Sequence, residues 1–328
     1  MKKRRKAKNR RWPAAAAVVA LVILSQGISL TVDRQVEKRQ MEEIQQMEEI
    51  QHADDTVYTE TAAAQVPAVS AGAAILVDGA DGTVLYEYNA DKKMYPASTT
   101  KIMTALVVLE LCEELGLGLD SQLIIPAEAE GVEGSSLYLK AGERLTLEEL
   151  MYGLMLQSGN DGAVALASCM GGGGETGVEL FVEQMNQKAA ELGCTGTHFV
   201  NPNGLPDENH YTTARDLVLI AQEAMKHEEF RQIVSAKEWS DAAAGEGAAS
   251  QMPRTFVNKN KTVFQYDGGD GIKIGYTKAS GRTLVASASR SGRTVIAVVL
   301  NDGNWFQDAY ALMDYGFEVL EAEEEAES

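Results

Sequence analysis

The sequence predicts an α+β fold in which one antiparallel sheet is assembled from both ends of a domain. β-Rich segments lie near the start of the globular region, at 73–88, and again near its end, at 272–301. Segments with helical periodicity occupy most of the interval between them. Strands at both ends with helices between them are typical of α+β architecture, so we expect a single sheet with an inserted helical region. We expect no second folded domain after residue 320.

The individual elements have recognisable boundaries. Capping boxes open two of the helices, Thr146 with Glu149 and Thr213 with Asp216. Residues 236–252 are small and polar and predict a surface excursion. The predicted elements are a hairpin at 73–77 and 83–88, helices at 102–111, 146–156, 163–170, 177–192 and 213–226, strands at 272–277, 283–290 and 294–301, a closing helix at 305–320 and an acidic tail at 321–328.

The first 30 residues predict a membrane-targeting segment. Residues 1–11 are a basic segment with eight Lys or Arg and no acid, and residues 12–30 are apolar without a charge. This order is typical of a signal anchor or a signal peptide whose basic end stays in the cytoplasm. No convincing small-x-small cleavage site follows, so we favour an uncleaved anchor over a cleaved signal. The rest of the chain is then expected outside the cytoplasmic membrane.

A polar stalk and linker are expected at 31–70. Residues 33–55 are rich in Glu and Gln, and the unit at 40–45 is repeated at 46–51. Their apolar residues recur every third position, too thinly for a core, so we interpret the segment as a solvated helix, with a short coiled coil as the alternative. Residues 56–70, rich in Ala and Thr, form the linker.

Charge and cysteine content exclude several classes of function. The net charge is −19 although basic residues are concentrated at the N-terminus, and such an acidic body is a poor candidate for binding nucleic acid. Cys112, Cys169 and Cys194 occur at unrelated spacings, which predicts neither a metal site nor a disulfide framework. We therefore expect no metal, no cofactor and no catalytic cysteine.

The stretch from Pro96 to Lys101 contains the candidate nucleophile. Ser98 and Lys101 are three residues apart at the start of a predicted helix, so the hydroxyl and the amine would share one face. A lysine that burial keeps neutral can remove the serine proton, and a helix N-terminus favours the negative charge that develops. Ser-x-x-Lys is also frequent by chance, and Ser98 alone could be an N-terminal cap. Its chemistry therefore depends on partners elsewhere in the chain.

Two further segments supply candidate partners. Ser158 and Asn160 lie at a predicted break between helices, where a hydroxyl can relay a proton and an amide can orient a lysine or a carbonyl. Lys273 lies on a predicted strand, where its ammonium would favour a carboxylate or an oxyanion. Taken singly, a Ser-Gly-Asn turn and a strand lysine are both common.

The residues after Lys273 extend this candidate binding site. Gly275 would let a substrate lie close against the strand. The backbone N–H of Tyr276 could then pair with that of Ser98 as the two donors of an oxyanion hole.

Together and in this order, the motifs resemble the Ser-x-x-Lys, Ser-x-Asn and Lys-Thr-Gly signatures of the serine penicillin-recognising enzymes. More narrowly, the chain looks like the D-alanyl-D-alanine carboxypeptidases, the low-molecular-mass penicillin-binding proteins. The resemblance implies a β-lactamase/penicillin-binding-protein-like fold with a D,D-peptidase domain at 71–320. The matching stretches are 96–104, 134–136, 156–161, 201–205, 271–277 and 279–281.

The resemblance implies roles for the matching residues. Ser98 would be the acyl-accepting nucleophile and Lys101 its general base. Ser158 and Asn160 would form the second wall of the cleft, and Lys273 would hold the end of the substrate. The family removes the terminal D-Ala from peptidoglycan pentapeptide stems through an acyl-enzyme that water hydrolyses, and β-lactams acylate the same serine. The resemblance thus implies stem peptides and β-lactam inhibitors as partners, and the apolar segment at 12–30 adds a bacterial membrane.

Two features depart from the family pattern. Ile274 replaces the threonine of Lys-Thr-Gly, and isoleucine cannot donate a hydrogen bond, so carboxylate binding is expected to be weaker by about 1.5–3 kcal/mol. Strand alternation places Thr277 on the face of Lys273, so its hydroxyl is a candidate replacement that Thr277→Val would test. Many relatives also continue into a C-terminal β domain and amphipathic anchor, which the N-terminal segment could replace here.

Three other functions stay open beside a D,D-carboxypeptidase. A D,D-endopeptidase on the same fold would cut cross-links, and the motifs do not separate the two activities. A catalytically weak wall-binding protein would follow if Ile274 disables acylation. A β-lactamase is disfavoured because we locate no additional carboxylate that would activate water for hydrolysis of a long-lived acyl-enzyme.

Overall fold

A computed structural model describes residues 65–240 and 254–327. The predicted basic segment, the apolar segment at 12–30, the stalk and most of the linker lie outside these ranges. Within the described residues, no helix combines the length and the apolar composition needed to cross a membrane.

The long strands form one antiparallel sheet. In the described ranges the strands are β1 (Ala73–Asp78), β2 (Val84–Tyr88), β3 (Gln122–Ile124), β4 (Arg144–Thr146), β5 (Glu238–Ser240), β6 (Thr255–Val257), β7 (Gly269–Thr277), β8 (Gly281–Arg290) and β9 (Arg293–Leu300). The order in the main sheet is β2-β1-β9-β8-β7, so strands from both ends of the domain pair, with Ile75 opposite Val298. The predicted sheet is confirmed, and β7 lies at its edge.

The four shortest strands were not predicted. They form two separate antiparallel ribbons, β3 with β4 and β5 with β6. Three residues are too few for a recognisable alternation of apolar and polar side chains. The surface excursion predicted over 236–252 contains a strand at its start, because 238–240 belong to β5, in which Glu238 and Ser240 are exposed; residues 241–252 lie outside the described ranges.

The helices occupy the interval between the two parts of the sheet and the C-terminal end. In the described residues they are α1 (Thr100–Leu115), α2 (Leu147–Leu156), α3 (Asn160–Met170), α4 (Gly174–Glu191), α5 (Ala214–Ala224), α6 (Glu228–Ser235), α7 (Thr262–Gln265) and α8 (Trp305–Glu327). Neither α6 nor α7 was predicted. Helix α8 continues past residue 320, the predicted end of the closing helix, and through the acidic tail to Glu327.

The core lies between the sheet and the helices. Helix α8 packs on β8, β9 and β1, and α5 packs on β9 and β1. Helix α1 is buried over 100–109 without a polar face, as expected of an interior helix. Its first residues follow the turn at Ala97–Thr99, which contacts β7 and β8. The buried helix thus presents its N-terminal end to the edge strand of the sheet.

Candidate active site

Ser98 lies in a 3-10 turn, Ala97–Thr99, directly before α1. The sequence predicts Ser98 in the first turn of the α-helix, but Ala97 has φ +50°, which an α-helix does not allow. Two hydroxyls fix the turn, because Thr99 Oγ1 and Thr283 Oγ1 donate to the carbonyl of Pro96 at 2.7 and 3.1 Å. The second of these bonds attaches the nucleophile turn to β8.

The amine of Lys101 lies next to the Ser98 hydroxyl, as the i, i+3 spacing predicts. Nζ is 3.1 Å from Ser98 Oγ, and it donates to Asn160 Oδ1 at 2.7 Å and to the carbonyl of Asn203 at 2.6 Å. The side chain is fully buried. Burial and, second, the charge of Lys273 lower the pKa of Lys101 well below 10.5. A neutral amine has two hydrogens and one lone pair, so the two carbonyl oxygens accept the hydrogens and leave the lone pair for Ser98.

Ser158 and Asn160 line the break between α2 and α3. Ser158 has φ +63° and is buried at the break, and α3 begins at Asn160. The amide of Asn160 is oriented by its own bonds, since Nδ2 donates to the carbonyl of Glu133 at 2.7 Å. Its oxygen therefore points to Lys101, as the orienting role predicted for Asn160 requires.

Lys273 lies in the part of β7 that borders the nucleophile turn. Its side chain is 1 % exposed, and Nζ donates to the carbonyl of Ile274 at 3.1 Å. Burial, with a smaller contribution from the charge of Lys259, lowers the pKa of Lys273 to about 7. A buried cation with a lowered pKa is a favourable partner for an incoming carboxylate, which would restore its charge.

Gly275 brings the strand into direct contact with the nucleophile. A Cβ at this position would lie 2.8 Å from Ser98 N and 3.1 Å from Ala97 Cβ. Tyr276 is the next residue of the strand, and the pairing of its N–H with that of Ser98 as an oxyanion hole stays a prediction. The Tyr276 side chain itself is 56 % exposed.

Thr277 is the last residue of β7, directly before the turn to β8. Its Oγ1 accepts a hydrogen bond from Ser280 N at 3.0 Å and lies 2.9 Å from Ser280 Oγ. The hydroxyl is therefore engaged inside the turn, and it would have to leave Ser280 to bind a substrate. The role suggested for Thr277 stays a prediction.

The segment 201–205 completes the site through a group that the side-chain motifs do not predict. Its contribution is the main-chain carbonyl of Asn203, which has no side-chain signature. A Cβ at Gly204, where φ is +88°, would overlap the carbonyl oxygen of Ala97, so this glycine packs directly on the nucleophile turn. The match of 201–205 to the family was the signal that pointed to it.

His210 and Asp161 form hydrogen bonds that connect the segments around the site. His210 Nδ1 accepts from Val200 N, so its Nε2 carries the proton and donates to Thr100 Oγ1 at 2.8 Å. Asp161 accepts from the backbone N–H groups of Leu137 and Leu139. These bonds attach the segment before Thr212 to the start of α1 and the loop at 131–142 to α3. Neither residue was singled out from the sequence.

Comparison with known proteins agrees with this geometry. The family described as D-alanyl-D-alanine carboxypeptidase matches residues 60–304, which is most of the chain. The chain belongs to this family. The resemblance inferred from the motifs is therefore confirmed, and the chain is a member of a family of serine peptidases.

Individual members of the family are similar over most of this chain. D-alanyl-D-alanine carboxypeptidase DacF of Bacillus subtilis is 35% identical over 231 residues, which are 70% of this chain and 57% of that protein. A D-alanyl-D-alanine carboxypeptidase of Streptomyces sp. strain K15 is 35% identical over 268 residues, which are 79% of this chain and 91% of that protein. The chain thus spans little more than half of the Bacillus relative but nearly all of the Streptomyces one.

A solved structure of the family has the same fold. The crystal structure of the Streptomyces K15 DD-transpeptidase is 35% identical, with a TM-score of 0.72, and the match covers 77% of this chain and 99% of that chain. The predicted penicillin-binding-protein-like fold is therefore confirmed.

Proposed function

We propose that the protein is a serine D-alanyl-D-alanine carboxypeptidase that removes the terminal D-Ala from peptidoglycan pentapeptide stems. The observation behind the proposal is the buried amine of Lys101, whose hydrogens have carbonyl acceptors while Ser98 Oγ lies 3.1 Å away. A serine hydroxyl is a weak nucleophile until such a base removes its proton. Membership of the family supplies the substrate class.

Acylation follows from the positions of these groups. Ser98 Oγ attacks the carbonyl carbon of the penultimate D-Ala and gives its proton to Lys101 Nζ. The N–H groups of Ser98 and Tyr276 stabilise the oxyanion. When the C–N bond breaks, the terminal D-Ala leaves as an amine, with its proton relayed from Lys101 through the Ser158 hydroxyl. Lys273 binds the carboxylate of the leaving D-Ala.

Deacylation uses the same base. A water molecule attacks the ester carbonyl while Lys101 accepts one of its protons. The bond between the carbonyl carbon and Ser98 Oγ then breaks, and Oγ recovers the proton from Lys101. The products are a tetrapeptide stem and the free enzyme. A β-lactam opens its ring on the same oxygen, and the ring nitrogen takes the place of the leaving amine.

We also propose that residues 12–30 hold the enzyme in the bacterial cytoplasmic membrane, with the catalytic domain outside. The basic and apolar pattern of 1–30 supports this placement, and so does the extracytoplasmic location of mature peptidoglycan. Protease treatment of intact spheroplasts tests it: the domain should be digested from outside while the protein sediments with membranes. Resistance of the whole chain to the protease would contradict the proposal.

Intact-protein mass spectrometry tests the catalytic proposal most directly. The full chain in detergent is incubated with penicillin beside Ser98→Ala, and release of D-Ala from a linear pentapeptide is measured on the same samples. We expect a one-to-one adduct and D-Ala release with the wild type and neither with the variant. A folded wild-type protein that forms no adduct and releases no D-Ala would overturn the proposal.

The Ile274 substitution favours one alternative, a wall-binding protein that binds muropeptide without cleaving it. The same experiment separates the two, because that protein would retain muropeptide and form no adduct. A D,D-endopeptidase would form the adduct but would act on cross-linked rather than linear muropeptides.

A further inference from the structure

Thr283 lies where the sheet meets the nucleophile turn, and the proposed mechanism gives it no role. The residue is fully buried in β8, opposite Gly275 of β7 on one side and Leu300 of β9 on the other. Because β8 is paired along both edges, the sheet fixes its position. The Thr283 hydroxyl donates to the carbonyl of Pro96 at 3.1 Å, so it joins the turn that carries Ser98 to this strand.

The carbonyl of Pro96 accepts hydrogen bonds of two kinds. Thr99 supplies two donors, Oγ1 at 2.7 Å and the backbone N–H at 3.3 Å, and both bonds close within the turn. The hydroxyl of Thr283 comes instead from the sheet. The bonds from Thr99 therefore fix the internal shape of the turn, whereas the bond from Thr283 fixes where the turn lies relative to the strands.

The glycine opposite Thr283 leaves the space for this bond. A Cβ at Gly275 would lie 2.5 Å from Thr283 Oγ1 and 2.8 Å from Ser98 N. The hydroxyl and the backbone nitrogen of the nucleophile thus border the same small space beside Gly275. Thr283 is therefore a direct neighbour of the backbone that carries Ser98.

The conformation of Ala97 makes such an attachment important. Its φ of +50° is unfavourable for a residue with a Cβ, so the surrounding contacts have to hold it. The carbonyl of Pro96 belongs to the peptide group directly before Ala97, and the bond from Thr283 restrains rotation of that group. The N–H of Ser98 follows Ala97 in the chain, so its direction depends on this restraint.

We propose that Thr283 is a positioning residue for acylation, which aligns the N–H of Ser98 with the strand that carries Tyr276. The two donors of the predicted oxyanion hole lie on different elements, the turn and β7. Their alignment consequently depends on how the turn is attached to the sheet, and Thr283 acts on it through the carbonyl of Pro96. The inference rests on the proposed function, which supplies the oxyanion.

Thr283→Val and Thr283→Ser test the hydroxyl separately from the methyl group. Valine has nearly the shape of threonine without the donor, whereas serine retains the donor and loses a buried methyl group. The full chain in detergent is mixed with penicillin at several concentrations, which gives the noncovalent dissociation constant and the rate of bond formation separately. We expect Thr283→Val to lower the rate of bond formation about tenfold or more and to leave the dissociation constant unchanged. Thr283→Ser should stay within about threefold of the wild-type rate although it is less stable.

Ser287→Ala is the matched control for loss of a buried hydroxyl. Ser287 lies on the same face of β8, about 13 Å further along the strand, and its hydroxyl donates to Asp270 Oδ1 at 2.5 Å. This variant should lose stability and keep the wild-type rate of acylation. Thr283→Ala compared with Thr283→Ser repeats the test of the hydroxyl in the absence of the methyl group, so the result does not depend on folding of the valine variant.

The pH dependence of acylation distinguishes a loss of alignment from a loss of the base. Thr283→Val should lower the rate by the same factor at every pH, because the hydrogen bonds of Lys101 to Asn160 and Asn203 do not involve Thr283. A change in the pH at which the rate rises would assign the loss to Lys101 and overturn the inference.

Equal rates of bond formation in wild type and Thr283→Val, or an equal loss in Thr283→Val and Thr283→Ser, would also overturn the inference. Both outcomes would leave the proposed function standing, because the wild type is still acylated. A folded wild-type protein that penicillin does not acylate would overturn the proposed function, and the inference with it.

Discussion

At the scale of single residues, two buried lysines divide the chemistry between them. Lys101 has two carbonyl acceptors for its hydrogens, which leaves a lone pair directed at Ser98. Lys273 has one carbonyl acceptor, from Ile274, and remains available to a carboxylate. Burial lowers the pKa of both, but the task of Lys101 requires the neutral form and the task of Lys273 requires the charged form. Their opposite requirements predict a bell-shaped dependence on pH.

The pH dependence of acylation by penicillin should report both lysines in the free enzyme. The second-order rate should rise with pH through the lowered pKa of Lys101, which must lose its proton. It should fall as pH rises through about 7, because Lys273 then loses the charge that binds the carboxylate. A penicillin methyl ester has no carboxylate and should show the rising limb without the falling one. A falling limb that persists with the ester would assign it to another group.

The effect of Ile274 on acylation can be measured separately from that of the two lysines. Ile274→Thr restores the hydroxyl of the family motif, and a hydrogen bond to a charged group contributes about 1.5–3 kcal/mol. We expect the acylation rate with penicillin to rise about tenfold or more. Ile274→Val is the matched control, because valine has nearly the shape of threonine without the hydroxyl. An equal effect of both variants would show that side-chain size, not hydrogen bonding, limits the rate.

At the scale of elements, the sequence predicts a helix cap correctly when the capping side chains bond only to the backbone of their own helix. The capping box of α2 forms as predicted, with Thr146 and Glu149 bonded to each other's backbone N–H. At α5 only half of the predicted box forms. Thr213 accepts from Asp216 N, but the carboxylate of Asp216 binds Gly196 N and Thr197 Oγ1 instead. A distant segment competes for that carboxylate, and the sequence near α5 contains no sign of it.

The difference between groups that bond locally and groups that bond to distant segments also explains how much of the candidate site the sequence predicts. Ser98, Lys101 and Asn160 were predicted because their side chains have the chemistry and the spacing for it, and the structure brings all three together. The carbonyl of Asn203 was not, because every residue has a carbonyl and its position depends on the path of the chain. Gly204 was not assigned a role either, since the contact that requires a glycine is with Ala97, more than a hundred positions away.

The contact between Gly204 and the nucleophile turn gives a test at this scale. Gly204→Ala should lower the rate of acylation by penicillin by about tenfold or more, because its Cβ displaces the turn that carries Ser98. Gly292→Ala is the matched control: its φ is +82°, close to the +88° of Gly204, and no atom lies within 4 Å of its Cβ position. Both variants should lose about 1 kcal/mol of stability from the left-handed backbone. Equal acylation rates in the two variants would show that Gly204 does not position the turn that carries Ser98.

At the scale of the whole molecule, hydrogen bonds connect the first residues of the described domain with the segment around its last helix. Ser70 precedes β1, and its hydroxyl oxygen lies within hydrogen-bond distance of two carboxyl groups, 2.6 Å from Asp302 Oδ1 and 2.9 Å from Asp308 Oδ2. Asp302 follows β9 and Asp308 lies in the first turn of α8. Because β1 and β9 are neighbours in the sheet, the predicted linker reaches the domain where its last helix begins. The buried carboxyl group of Asp302 makes the stability of this junction dependent on pH.

Asp302 provides the final prediction, which concerns stability as a function of pH. Its side chain is 1 % exposed, and within the described residues its Oδ2 atom is buried without a hydrogen-bond partner. Burial is the main cause that raises the pKa of Asp302 from 3.8 to about 6; the nearby charge of Asp308 contributes in the same direction, and hydrogen bonds from Ser70 and Asn304 act against it. Between these two values the folded state binds more protons than the unfolded state, so stability declines as pH rises through the window.

Asp302→Asn removes this ionisation and should therefore change the melting temperature in a pH-dependent way. Above about pH 6 the variant escapes a cost on the order of 2–3 kcal/mol, so its Tm should exceed that of the wild type by several degrees. Below the unfolded pKa of 3.8 both proteins carry a neutral group at 302, and the advantage should vanish. Asp120→Asn removes an exposed carboxylate and controls for the change in net charge. A Tm difference between Asp302→Asn and wild type that is constant with pH would mean that Asp302 ionises in the folded protein as it does in the unfolded chain.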